Sequence, residues 1–109
     1  MDVEVAGGVT VVTMPERIDT HNAADVQTEF DELLSGGART IVADLSPTEY
    51  ISSAGLRVFL AVLKALEKNG GRMVLCGMTT FVADVFDIAG FLQLFTVAAD
   101  RDAGVAAVS

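Results

Sequence analysis

Short apolar segments typical of strands alternate along this chain with longer segments whose apolar residues recur at helical spacing. Strands that are separated by helices pair in parallel through right-handed crossovers. This alternation predicts an α/β domain. The predicted strands are 3–6, 9–14, 40–45, 72–76 and 95–98, and the predicted helices are 22–34, about 52–68, 81–89 and 102–108.

The first two predicted strands flank the pair Gly7-Gly8 and are predicted to form a hairpin. A hairpin adds an antiparallel edge, so the sheet is expected to be mixed. The apolar stripes of the long helices need a common surface to cover. We therefore expect the helices to pack mainly on one face of this mixed sheet.

The chain has 109 residues, 51% of them hydrophobic, which fits one domain spanning residues 1–109 with enough material for a core. The single Cys76 has no partner for an internal disulfide, and no Cys/His cluster is present to bind zinc. The N-terminus lacks the features of a signal peptide, and apolar stretches end well short of about 18 residues. We expect a cytoplasmic protein that does not enter a membrane and needs no cofactor or metal.

The formal net charge is −8, from seven basic and fifteen acidic residues. An acidic surface matches the phosphate backbone of nucleic acid poorly, so direct nucleic-acid binding is not expected. The acidity serves either solubility or electrostatic attraction to a basic partner surface, and the composition leaves both open.

The densest local pattern is the segment 44–56, where a strand ends, a loop follows, and a helix begins at Ser52 or Ser53. A serine hydroxyl there caps exposed backbone N–H groups. The start of a helix also favours negative charge, so a phosphate on a first-turn serine would not disturb the helix. The small residues Ala54 and Gly55 would let a partner backbone approach closely. The two serines either only cap the helix or also form a modification site.

No set of residues in the sequence completes a catalytic site. His21 is the only histidine, and although Asp19 is close by, no nucleophile, base and orienting group are placed together. The glycine pairs fit neither phosphate-loop pattern. The basic residues Arg57, Lys64 and Lys68 fall on the outer face of the second predicted helix, where they are either solvated or in contact with a partner.

Five segments of the chain carry a resemblance to a known family, namely 17–19, 44–46, 51–56, 70–76 and 85–91. In this order they resemble segments of the bacterial anti-sigma factor antagonists, whose fold is the STAS domain (sulfate transporter and anti-sigma factor antagonist). The resemblance covers nearly the whole chain, and the Ser-Ala-Gly-Leu turn after Asp-Leu-Ser is its most specific part.

The resemblance implies a single STAS-like domain that binds an anti-sigma factor which is also a serine kinase. Phosphorylation of a serine at the start of the second helix breaks that complex, and a serine phosphatase restores it. The family pattern assigns this serine to Ser53. Many members have an aspartate just before it, where this chain has Ser52, which is therefore a second candidate. We expect the loop 19–22 and the exposed face of the second helix to lie beside Ser53, because both loops should emerge at the same end of the sheet. The expected partner-binding residues are Asp19, Thr20, His21, Asn22, Ser52, Ser53, Gly55 and Arg57.

Two other functions remain open at this point. A related STAS module could act as a scaffold or ligand-sensing unit in a sensory or lipid-transport complex, and a phosphorylatable serine separates that function from the first. An enzyme on a small α/β fold is the weakest alternative, because the sequence has no acid–base, metal or nucleophile set.

Overall fold

The computed structural model describes residues 1–108. Five strands form the main sheet, in the spatial order β1-β2-β4-β6-β7. Their bounds are Asp2–Ala6 (β1), Val9–Thr13 (β2), Thr40–Asp44 (β4), Arg72–Cys76 (β6) and Thr96–Ala98 (β7). A separate pair consists of β3 (Arg17–Ile18) and β5 (Tyr50–Ile51).

The main sheet is mixed, as the sequence predicts. Strands β1 and β2 are antiparallel and are joined through Gly7 and Gly8, whose φ angles of 56° and 83° suit a tight hairpin turn. Strands β2, β4, β6 and β7 are parallel to one another. The carboxyl ends of these parallel strands therefore meet at one edge of the sheet, which we call the C-terminal edge.

Within residues 1–108, four α-helices complete the domain, and three of them cover one face of the sheet. Their bounds are Ala23–Ser35 (α1), Ser53–Lys68 (α2), Thr80–Ile88 (α3) and Arg101–Val108 (α4). Phe30 of α1, Phe59 of α2 and Phe86 of α3 are fully buried in one cluster, with ring centroids 5.9 and 5.8 Å apart in edge-to-face geometry. The prediction of helices mainly on one face is therefore confirmed.

Helix α4 lies on the opposite face, where its residues cover a smaller apolar cluster that includes Val42 and Val74. Arg101 fixes the start of this helix: its guanidinium contacts Asp44 Oδ2 at 3.2 Å and Glu4 Oε2 at 3.1 Å, and also donates to the Thr13 hydroxyl. The half-buried ion pair with Asp44 ties α4 to the end of β4.

Cys76 is fully buried on β6, and its thiol donates to the Ala43 carbonyl at 3.6 Å. Burial, with the Asp44 carboxylate nearby, raises the pKa of the thiol to about 11, so the reactive thiolate is disfavoured. Among residues 1–108, no group of His, Cys, Asp and Glu is arranged to hold a metal ion. None of the helices in that range is long and apolar enough to cross a membrane.

The short pair β3–β5 positions the start of α2, and the sequence analysis does not predict it. Arg17 pairs with Tyr50 and Ile18 pairs with Ile51 in parallel register. The chain just before α1 is thereby held against the chain just before α2. Gly55, in the first turn of α2, packs onto this pair: an added Cβ would lie 2.8 Å from side-chain atoms of Ile18 and Ile51 and 2.9 Å from the Ile18 carbonyl oxygen.

We expect Gly55→Ala to lower the free energy of unfolding by about 1–3 kcal/mol, because the methyl group would overpack the contact between α2 and β3. Urea denaturation measures this change. Gly36→Ala is the matched control, since its Cβ would meet only backbone oxygens at 3.4 and 3.5 Å at an ordinary φ of −78°. The control should stay within about 0.5 kcal/mol of wild type. Equal stability of the two variants would contradict the packing described here.

Candidate functional site

The hydroxyl of Ser52 is engaged in capping α2. Ser52 is the N-cap residue, with an extended backbone (φ −96°, ψ 173°), and its Oγ accepts a hydrogen bond from the Gly55 N–H at 3.4 Å. Its own N–H donates to the Ile18 carbonyl at 2.9 Å. The side chain is half-buried, so Ser52 has a structural role at this helix start.

Ser53 is the first residue of α2 and is exposed. Within residues 1–108, no hydrogen bond involves its hydroxyl. The first turn of α2 contains no acidic residue. Negative charge added at Ser53 would therefore meet the favourable end of the helix dipole without a carboxylate from the same turn.

The loop 19–22 is ordered by its own side chains. Asp19 Oδ1 accepts the His21 N–H at 2.9 Å, and Asn22 bridges the loop by accepting from the Asp19 N–H at 2.9 Å and donating to the Arg17 carbonyl at 2.7 Å. Asn22 stands at the N-cap position of α1, but its side chain caps no N–H of that helix, because these loop bonds occupy it.

Asp19 is held in its charged form. The hydrogen bond from the His21 N–H, aided by the Arg17 guanidinium 3.4 Å from Oδ2, lowers the pKa of the Asp19 carboxyl below its usual value and outweighs the opposing effect of desolvation. A carboxylate on this loop is therefore ionised at neutral pH and is available to repel a second negative charge.

The structure brings the loop 19–22 and the start of α2 together. Ile18 and Ile51 are register partners, so the next residue on each strand, Asp19 and Ser52, follows at the same end of the β3–β5 pair. Thr20 and His21 are exposed on the loop. Gly55 differs from the other expected partner-binding residues because it is buried beneath them.

Arg57 lies one turn beyond Ser53 on the exposed side of α2, the spacing at which two helical side chains are neighbours. Lys64 and Lys68 are exposed further along the same helix, as the sequence predicts. In the part of the chain that the structure describes, none of these three cations belongs to an ion pair. Arg57 thus has a guanidinium without an ion-pair partner in residues 1–108, one helical turn from Ser53.

Three stacked side chains lie next to this site, and none of them is among the partner-binding residues that the sequence predicts. The Arg17 guanidinium lies 4.6 Å from the centroid of the Tyr50 ring, and the Tyr50 and Phe81 rings are stacked with centroids 6.3 Å apart and planes at 22°. Helical spacing predicts α3 but does not say that Phe81 is exposed. The β3–β5 pairing that aligns Arg17 with Tyr50 involves two-residue strands, too short for a periodic signal.

The adjoining segments around the β3–β5 pair and the start of α2 thus carry a hydroxyl and a guanidinium without partners in residues 1–108, an ionised carboxylate and the exposed ring of Phe81. The STAS domain family model matches residues 1–104. A protein of Bordetella bronchiseptica named "Putative anti-sigma factor antagonist BtrV" is 40% identical over 100 residues, covering 92% of this chain and 86% of that protein.

Solved structures match the fold at lower identity. An anti-sigma factor antagonist from Mycobacterium paratuberculosis has a TM-score of 0.88 at 24% identity, covering 97% of this chain and 90% of that one. The Bacillus cell fate determinant SpoIIAA in its phosphorylated form has a TM-score of 0.76 at 20% identity, covering 99% and 98%. The chain thus belongs to the STAS domain family and is of the anti-sigma factor antagonist type.

Proposed function

We propose that this protein binds an anti-sigma factor that is also a serine kinase, and that phosphorylation of Ser53 by this kinase releases it. A serine phosphatase then regenerates the binding form, and the cycle controls transcription by a sigma factor in the cytoplasm. Membership of the anti-sigma factor antagonist type supports the class of partner. The finer steps rest on the chemistry of the site.

The observation that carries the proposal is the difference between the two neighbouring serines. The Ser52 hydroxyl accepts a hydrogen bond from the Gly55 N–H and is half-buried, whereas the Ser53 hydroxyl is exposed and has no partner in residues 1–108. A kinase must reach a hydroxyl and transfer a phosphoryl group to it. Ser53 meets this need without loss of the helix cap, which favours it over Ser52.

The charge of a phosphate accounts for the release. A phosphoserine carries about −1.5 to −2 charges at neutral pH. The dipole of α2 stabilises this charge by about 0.3–1 kcal/mol, so the fold tolerates it. At an interface, the same charge must be desolvated, and the ionised Asp19 on the adjoining loop adds negative charge to the same end of the β3–β5 pair. SpoIIAA, which shares this fold at 20% identity, has been solved in a phosphorylated form, and this supports a fold that tolerates phosphate.

Phosphate incorporation tests the assignment to Ser53 directly. With the cognate kinase and ATP, we expect label in wild type and in Ser52→Ala, and none in Ser53→Ala, with mass spectrometry locating the phosphate. Loss of the Ser52 cap costs about 1 kcal/mol, so a thermal melt must first show that Ser52→Ala is folded. Label that persists in Ser53→Ala but vanishes in Ser52→Ala would move the switch by one residue.

Absence of label in wild type with every serine kinase of the anti-sigma type in the same genome would contradict the proposal. That result would favour the scaffold or ligand-sensing module instead.

Charge reversal at Arg57 tests the surface on which the partner binds. We expect Arg57→Glu to weaken binding of the anti-sigma factor by about tenfold, the effect of roughly 1.4 kcal/mol, because it puts a carboxylate beside Ser53. Isothermal titration calorimetry measures the affinity. Arg72→Glu is the matched control, since Arg72 is also exposed but lies at the start of β6, away from the C-terminal edge.

Both variants should melt within about 2 °C of wild type, because neither arginine is in an ion pair within residues 1–108. Equal weakening by both substitutions would show a general charge effect and would contradict the placement of the partner on α2.

A further inference from the structure

The residues expected to bind the partner are mostly polar, which leaves the proposed interface without an apolar centre. Stable interfaces between proteins have an apolar core inside a polar rim. Most of the binding free energy comes from a few residues, among which Tyr, Trp and Arg are enriched. Exposed apolar side chains near Ser53 are therefore the candidates for the apolar centre of this interface.

Arg17, Tyr50 and Phe81 supply such a surface, and we call these three side chains the Tyr50 stack. Phe81 is 52% exposed, which is high for a phenylalanine, and Tyr50 is half-buried beneath its neighbours. The three groups are stacked in a row, with the guanidinium 4.6 Å from the Tyr50 centroid and the Tyr50 and Phe81 centroids 6.3 Å apart. Side chains that are already ordered lose little entropy when a partner binds.

The Tyr50 stack is continuous with the proposed site. Arg17 and Tyr50 are register partners on β3 and β5, and Ile18 and Ile51 are the next pair. Asp19 and Ser52 follow directly on the two strands. The stack therefore lies two residues along the same short sheet from the loop and the helix start that carry the switch.

We infer that the Tyr50 stack is the apolar anchor of the interface with the serine-kinase anti-sigma factor, and that it receives an apolar side chain of that partner. This inference rests on the proposed function. Arg17 is already paired with Asp19 at 3.4 Å, so the stack presents no unpaired cation that would call for an acidic partner group. Its recognition chemistry is that of aromatic faces and alkyl carbon.

A second copy of this chain is the less favourable occupant. Asp84 is exposed one turn from Phe81 on α3, and Asp87 is exposed further along that helix. A two-fold contact centred on Phe81 would bring the same acidic face of two molecules together, each with a net charge of −8. An anti-sigma factor that sets an apolar side chain on Phe81 and basic groups opposite Asp84 and Asp87 avoids this repulsion.

Truncation of Phe81 tests the inference against a matched control. We expect Phe81→Ala to weaken binding of the purified anti-sigma factor kinase by about tenfold or more in calorimetry, as for a hot-spot aromatic residue. Leu94→Ala should change the affinity by less than about twofold. Leu94 is also 52% exposed, but it lies in a short 3-10 turn just before β7, beyond the end of α3 whose start carries Phe81.

Further variants keep the test decisive if Phe81→Ala lowers the melting temperature. Phe81→Trp preserves an aromatic face and should retain affinity within about threefold. Arg17→Gln removes the guanidinium from an exposed position and should weaken binding without involving α3. Equal affinity of Phe81→Ala, Leu94→Ala and wild type would overturn the inference.

The same experiment separates this inference from the proposed function. If wild type binds and is labelled at Ser53 while Phe81→Ala does both equally well, only the anchor is wrong. If wild type neither binds any such kinase nor is labelled, the proposed function fails and the anchor fails with it. A wild-type dimer in sedimentation that Phe81→Ala converts to monomer would assign the stack to a second copy and overturn the inference.

Discussion

The site depends on one backbone hydrogen bond, from the N–H of Ser52 to the carbonyl of Ile18 at 2.9 Å. This bond extends the β3–β5 pair to the residue where α2 begins. It fixes the distance between two chain segments that are more than thirty residues apart in sequence. Gly55 completes the arrangement, because only a residue without a side chain lets α2 come this close to Ile18 and Ile51.

This hydrogen bond gives the two serines different structural positions. Once the backbone of Ser52 is extended and tied to β3, its hydroxyl turns back to cap α2 at Gly55. Ser53 then falls at the first helical position, exposed and with its hydroxyl unused in residues 1–108. One serine stabilises the helix start, and the other is free to be modified there. A phosphate at Ser53 would change the surface while the contacts beneath it remain.

The sequence predicts most of the large elements because their signals are strong. The helical spacing of Leu56, Phe59, Leu60, Leu63 and Leu66 predicts α2, and four of these side chains are buried while Leu60 is half-buried. The β-branched runs around Gly7-Gly8 predict the hairpin. The short strands β3 and β5 are missed because two residues carry no periodicity, and the exposure of Phe81 depends on how α3 is rotated against Tyr50. The side chain of Asn22 takes part in the loop instead of capping α1, which only the three-dimensional contacts with Arg17 and Asp19 reveal.

The central claim is that a phosphate on Ser53 abolishes partner binding while the fold is kept. The most direct measurement is calorimetric titration of the anti-sigma factor kinase with unphosphorylated protein and with protein phosphorylated only at Ser53, accompanied by thermal melts of both forms. The account predicts an affinity loss of roughly a hundredfold or more, about 2.7 kcal/mol, with melting temperatures that agree within a few degrees. Equal affinities, or a phosphorylated form that has lost its cooperative melt, would contradict it.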